Sequence, residues 1–158
     1  MLKKGVNSYV TLAEADRYIR SRYDGTDPLR LTWDTLSDDR SRYRYLIRAC
    51  DMIEALRFPG RKSNELQGLS WPRDGRSTVP DAIRHAQAEI ALWDAQRASD
   101  GTTGGTSRAN LIAQGVKSYS IGDLSETLDG STVAEGAMEC QAAAMLLRPL
   151  LGGGFSMC

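Results

Sequence analysis

The chain has 158 residues, 41% hydrophobic and 25% charged, and its twenty basic and twenty acidic side chains leave no formal net charge. That is one domain's worth of chain with ordinary globular composition, which argues against disorder, a collagen-like fibre or a membrane protein. No apolar run approaches the roughly 20 residues that a membrane helix needs, and no apolar leader follows Met1-Leu2-Lys3-Lys4-Gly5, so export through a signal peptide is not expected.

The first predicted helix opens on Thr11-Leu12-Ala13-Glu14, a capping box in which the Thr hydroxyl and the Glu carboxylate each take a backbone N–H. It should run from Leu12 to about Tyr23 with Leu12, Ala15 and Ile19 on one face, and Asp24-Gly25-Thr26-Asp27-Pro28 should end it. A second helix is predicted after Ser37 as N-cap, with Asp38 and Asp39 at the positive end of its dipole, continuing to about Arg57. Tyr43, Leu46, Ile47, Cys50, Ile53 and Leu56 recur at three- and four-residue spacing and form a wide apolar stripe. Phe58-Pro59-Gly60 stops the helix.

Arg61 to Val79 reads as a long loop punctuated by Asn64, Gly68, Pro72, Asp74 and Gly75, and loops of that length are often functional. Pro80-Asp81 opens a third helix to about Ala98, with Ile83, Ala86, Ile90 and Trp93 as its apolar face. Ser99 to Ser107 has linker composition. Val116–Ile121 and Leu124–Leu128 flank Gly122-Asp123 and predict a β-hairpin with a two-residue turn, carrying Tyr119 and Ile121 on one face. A fourth helix is expected from about Gly136 to Leu151, burying Met138, Ala142, Met145 and Leu146, before Gly152-Gly153-Gly154 releases a tail from Phe155 to Cys158. The predicted fold is mainly α, a bundle of about four helices with a projecting hairpin. Its parts are a helical core (1–98, with loop 59–79), a linker and arm (99–135), and a closing helix and tail (136–158). A lone hairpin is marginal in water, so it should dock on another part of the chain, a second copy or a partner.

Catalytic signatures are missing. There is no GxxxxGK[ST] phosphate loop, no GxSxG elbow, no HExxH, no CxxC and no EF-hand loop. His85 is the only histidine, and nothing in the sequence sets a nucleophile beside it. Asp38 and Asp39 are adjacent, so they do not share a helical face. Cys50, Cys140 and Cys158 are too scattered for a disulfide framework or a zinc site, and the first two, in helical patterns, read as small buried apolar residues in a reducing cytoplasm. The expectation is a protein that is not an enzyme and that holds neither metal nor cofactor.

Charge is uneven along the chain. Met1 to Lys62 carries thirteen basic and nine acidic residues, a net +4, and the remainder seven and eleven, a net −4. Such polarity suits stacking against copies or charged neighbours, unless folding mixes the two signs over one surface. Arg40, Arg44 and Arg48 repeat every four residues as a ridge that either meets phosphates or an acidic partner or is simply solvated. Arg61 and Lys62 are further candidates for DNA or an acidic partner. Leu69-Ser70-Trp71-Pro72-Arg73 puts Trp71 in extended geometry before proline, where Trp71 and Arg73 either anchor the loop or meet a partner. Phe155, past the glycines, either inserts in another subunit or frays.

Tyr9 to Asp16, Arg57-Phe58-Pro59-Gly60-Arg61-Lys62, Leu69 to Arg73, and Val79-Pro80-Asp81-Ala82-Ile83 with Gln87 and Glu89 occur in that order. Together they resemble tailed-phage proteins labelled DnaT-like single-stranded-DNA-binding proteins, whose setting is similar to that of head–tail connector, or adaptor, proteins. The resemblance covers roughly Ser8 to Trp93 and is looser beyond. It implies a helical subunit that forms a ring, commonly of twelve copies, beneath the portal protein. Such a ring joins the portal to the next neck or tail component and passes double-stranded DNA along its axis without sequence specificity. The implied location is the virion neck after synthesis in host cytoplasm, with no membrane. The alternative is a single-stranded-DNA-binding protein using the arginine ridge with Tyr43 and Tyr45 as stacking partners, although the apolar stripe also needs Tyr43. An accessory subunit of an enzyme is the third reading.

Overall fold

The computed structural model describes residues 1–100 and 132–152, with side chains from 136 onward in the second stretch. The elements are α1 (Leu12–Arg22), α2 (Pro28–Asp34), α3 (Asp39–Glu54), α4 (Asp81–Ser99), α5 (Thr132–Glu139) and α6 (Gln141–Leu147), closed by a 3-10 turn at Arg148–Leu150. Among the described residues the only β pairings are two isolated bridges, Lys4 to Ser8 and Lys62 to Arg73. The predicted hairpin, its residues Tyr119 and Ile121, the linker composition of 101–107 and the tail with Phe155 lie outside the described residues.

Helix α1 begins as its spacing predicts. Glu14 N donates to Thr11 Oγ1 at 3.2 Å, and Thr11 N donates to Glu14 Oε2 at 2.7 Å. Lys4 Nζ then pairs with Glu14 at 2.6 Å, and that ammonium together with the Thr11 hydrogen bonds holds the Glu14 carboxyl below its usual range against the opposing effect of burial. Ala15 and Ile19 are buried, as expected, and Leu12 packs on the core rim.

A helix that the sequence pattern does not predict follows the turn Asp24–Pro28. Asp27 caps it by accepting from Leu29 N at 2.9 Å, and Pro28 occupies its first turn, where a missing N–H costs nothing. What makes this short helix worth forming is Trp33, 1% exposed, whose Nε1 donates to Asp16 Oδ1 at 2.8 Å. Arg42 then ties α2 to α3 by donating to the carbonyls of Trp33, Asp34 and Leu36 at 3.3–3.4 Å. These carbonyls include two at the end of α2, so Arg42 serves as its cap.

Helix α3 is capped by Asp38, not Ser37, through Ser41 N at 2.8 Å, and it ends at Glu54, short of Arg57. Leu46, Ala49, Cys50 and Ile53 are buried, while Tyr43, Ile47 and Leu56 stay partly exposed, so the buried stripe is narrower than the pattern predicts. Burial raises the Cys50 thiol to about 12 and the Cys140 thiol to about 11, which keeps both protonated and unreactive at neutral pH.

Helix α4 is the axis of the body. It packs against α1, α2, α3 and α6, and it is buried almost all round rather than on the single face of Ile83, Ala86, Ile90 and Trp93. The buried set includes Gln87, Glu89 and Asp94 as well as Ala88, Ala91, Leu92 and Ala95. Burying polar groups costs free energy unless they are matched, and Gln87 is matched at every reach. Tyr9 N donates to its Oε1 at 2.8 Å, while its Nε2 donates to Ser8 Oγ at 2.8 Å and to the Leu46 carbonyl at 2.7 Å. One side chain thus holds the N-terminal segment and α3 against α4.

The closing helix is divided. Cys140 breaks the run between α5 and α6, so Ala137, Cys140, Ala143, Ala144 and Leu147 face the core. Of the expected face, Met138, Ala142 and Leu146 are only partly buried and Met145 is 68% exposed. The small residues face the interior where α6 packs against α4.

The loop from Arg61 to Val79 has few helical or strand bonds but many specific ones. Arg73 donates to the carbonyls of Phe58, Pro59, Gly60 and Ser70 at 2.6–3.2 Å. Gln67 Nε2 donates to the Leu69 and Pro72 carbonyls at 2.8 and 2.9 Å, and the Trp71–Pro72 peptide is cis. Gly60, at φ +84°, lies where any Cβ would run into the Asp74 carboxylate, which itself accepts from Arg61 N at 3.0 Å.

Because Gln87 satisfies three buried groups from two other segments, Gln87→Leu should lower unfolding free energy by about 2–4 kcal/mol through orphaned donors and acceptors. Urea denaturation followed by far-UV circular dichroism reads this, and a loss within experimental error would mean that water replaces the amide.

Candidate interaction surfaces

The residues singled out in the sequence separate into buried braces and exposed surface. Trp71 is 6% exposed and meets Phe58 edge to face, ring centres 5.3 Å apart. Its backbone N donates to Tyr9 Oη at 3.3 Å, and Tyr9 in turn donates to Glu54, whose carboxylate also takes Ser70 N and Oγ at 3.0–3.2 Å. Burial first, and then the neighbouring Glu54 carboxylate, push the Tyr9 hydroxyl far above its ordinary value, so it acts as a permanent donor. With Arg73 occupied by four carbonyls, Trp71 and Arg73 work as the loop's internal anchor. Arg61 and Lys62 are exposed beside it, joined to Asp74 and Arg73 through their backbones.

The arginine ridge of α3 divides by partner. Arg48 reaches Asp94 on α4, with Nε 3.1 Å from Oδ2 and Nη2 3.3 Å from Oδ1. Burial raises the Asp94 carboxyl above its ordinary value, and Arg48 and Arg97 pull it back in part. Arg40 and Arg44 are exposed and make no ion pair among the described residues, acting only at long range on Asp38. Beside them lies a groove of about 440 Å³ with Leu36, Tyr45 and Ile47 as its apolar wall and Arg44, Arg48 and Ser41 at its rim. Tyr45 is drawn to this wall and the core, and Tyr43 is half buried, so neither ring stands clear as a stacking platform.

A second, larger groove of about 1070 Å³ opens between α1, α4 and α6, and sequence reasoning missed it entirely. Its apolar part comes from Val10, Ala142, Met145 and Leu146, and its charged rim from Arg17, Arg22 and Arg84. His85 lines it too, stacked on Tyr18 with ring centres 4.3 Å apart. Beneath them Glu89, 2% exposed, accepts from Tyr18 Oη at 2.7 Å and Tyr23 Oη at 2.5 Å, with Arg22 at 3.7 Å. Both tyrosine hydroxyls are pushed above their usual range, first by burial and then by the Glu89 carboxylate. The only advance signal was the apolar residue at 145, which a helical pattern assigns inward.

Among the described residues, no set of three His, Cys, Asp or Glu side chains gathers in a way that could hold a metal ion, and no helix is long and apolar enough to cross a membrane.

The raised Asp94 carboxyl has a signed consequence. Its folded value lies above the unfolded value near 3.8, so the folded state loses stability as pH rises from there through the folded value. The stability of Asp94→Asn relative to wild type should therefore improve between pH 3.5 and pH 7, roughly the window that opens at the unfolded carboxylate value. Paired denaturation curves measure this, and a relative stability that falls over that interval would show that the Arg48 pair outweighs burial.

No curated protein and no solved structure matches the chain. A protein-family model described as "Putative DnaT-like ssDNA binding protein" matches residues 1–158. A mainly helical body whose loop is braced by Trp71 and Arg73, two of the residues on which the resemblance rests, therefore belongs, over its whole length, to the family so described.

Proposed function

We propose that the chain is a structural adaptor, a head–tail connector subunit of a tailed bacteriophage that acts by binding proteins and performs no chemistry. The observation that carries this reading is the presence of two separate grooves on one small body, each with an apolar wall and an arginine rim. A subunit in a ring must grip neighbours on at least two faces, and apolar walls with charged rims suit protein contacts. The α3 groove and the α1/α4/α6 groove share no residue. The body behind them is fixed around α4 by the directed bonds of Gln87 and Glu89, so it can keep its shape while its surfaces are occupied.

The rest of the reading follows from the resemblance. The ring would contain about twelve copies, a number expected from the connector class, and would sit in the virion neck between the portal and the next tail component. Double-stranded DNA would pass along its axis without base contacts, and zero net charge suits a wall that lets DNA slide.

Leu36→Asp in one groove and Met145→Asp in the other place a charge on each apolar wall. Both variants should keep the helical circular dichroism of wild type and lose ring formation and portal binding, read by multi-angle light scattering and negative-stain microscopy. A wild-type chain that stays monomeric at high concentration with portal present would end the adaptor reading.

The family description supports a second reading, single-stranded-DNA binding, and Arg40 and Arg44 favour it because neither is ion-paired among the described residues. Binding of a fluorescent oligonucleotide would then weaken steeply with salt and fall in Arg40→Ala/Arg44→Ala. Tight, salt-sensitive binding of that kind would place this reading first, and binding undetectable at low salt would remove it.

A further inference from the structure

The α1/α4/α6 groove asks for an occupant with apolar and acidic groups together. Met145, 68% exposed, stands on its wall with Leu146 and Ala142. Arg17 is exposed on the rim, and the side chain of Arg22 is 61% exposed. Arg84 pairs with Asp81 through Nη2, yet its Nε is buried without a hydrogen-bond partner. Its side chain is nonetheless 34% exposed, and an exposed guanidinium favours an incoming carboxylate. Of the two acids of the groove, Glu14 is held by Lys4, and Glu89, buried under two tyrosine hydroxyls, offsets only Arg22, 3.7 Å away.

The chain contains one stretch of matching chemistry. Asp123-Leu124-Ser125-Glu126-Thr127-Leu128-Asp129 interleaves three carboxylates with two leucines, and no Lys or Arg occurs between Lys117 and Arg148. Reach is no obstacle. From Glu89 to Ser99 helix α4 rises about 1.5 Å per residue, whereas the chain between Asp100 and Asp123 can extend about 3.3–3.6 Å per residue.

We propose that the groove between α1, α4 and α6 receives the acidic, leucine-bearing stretch Asp123–Asp129 of the same chain, with the carboxylates meeting Arg17, Arg22 and Arg84 and the leucines covering Met145 and Leu146. A tethered segment is present at an effective concentration near the millimolar range, so in dilute protein the chain's own copy outcompetes a neighbour's. The inference concerns the free chain and needs only the groove and the sequence; on the adaptor reading, a neighbour in the ring would have to displace this segment from the groove.

The test uses the full chain with Cys158→Ser, Leu124→Cys and Met145→Cys, oxidised briefly and mapped by mass spectrometry. The expected result is a disulfide between positions 124 and 145 within one chain, formed faster than one between 124 and a control Ser37→Cys. Arg17→Glu/Arg84→Glu should slow its formation by about tenfold or more, since losing two charge-assisted contacts shifts occupancy on that scale. Adding Asp123→Arg/Glu126→Arg should restore it, which separates docking from any loss of folding. Equal rates at positions 37 and 145, no disulfide at 145, or indifference to the charge exchange would each overturn the proposal. Linkage found only between two chains would overturn it as well and assign the groove to a second copy.

Discussion

The structure depends on matching the polar side chains that a largely buried helix carries into the interior. Helix α4 is surrounded by α1, α2, α3 and α6, yet it carries Gln87, Glu89 and Asp94 into the interior. An unmatched buried polar group costs on the order of 1–3 kcal/mol, a large share of a domain's marginal stability. Each is therefore answered by a different segment: Gln87 by Ser8, Tyr9 and Leu46, Glu89 by Tyr18 and Tyr23, and Asp94 by Arg48. Apolar contacts alone tolerate rotation and sliding of helices. These directed bonds fix the rotation of α4 about its axis and the height of α1 and α3 beside it.

The same logic extends to the loop. Trp71 and Phe58 supply apolar area, but the path of the chain is set by Arg73 and Gln67 gathering carbonyls that no helix or sheet satisfies. Tyr9 and Glu54 carry this network back to α3 and the N-terminal segment. A loop so held is part of the body, and among the described residues the two grooves and the exposed arginines of α3 lie outside its braces. Sites built on packed helices keep their geometry better than sites on mobile loops.

Much of the helical plan was legible in the sequence. The Thr11–Glu14 box, the spacing of Leu46, Cys50 and Ile53, and Pro80-Asp81 are local signals, and local bonds satisfy them. Helix α2 was missed because Pro28 and the preceding Gly25 read as a turn, while the reason for the helix, Trp33 reaching Asp16, is a contact across 17 residues of chain. Met145 was assigned inward because an uninterrupted helix from Gly136 would place it there, and the break at Cys140 brings Ala143, Ala144 and Leu147 inward instead.

The candidate surfaces were legible only in part. Arg40, Arg44 and Arg48 were visible as a ridge from four-residue spacing, but which of them is engaged depends on Asp94, on another helix. Composition and periodicity alone determined a mainly helical chain, its principal helices and the lack of any familiar catalytic motif. Tertiary structure alone decided that Trp71 and Arg73 brace the interior, that α4 is central, and that α1, α4 and α6 leave a groove between them. The reason is physical: caps and periodicity act within a few residues, whereas burial and the matching of buried polar groups are settled only when distant segments meet.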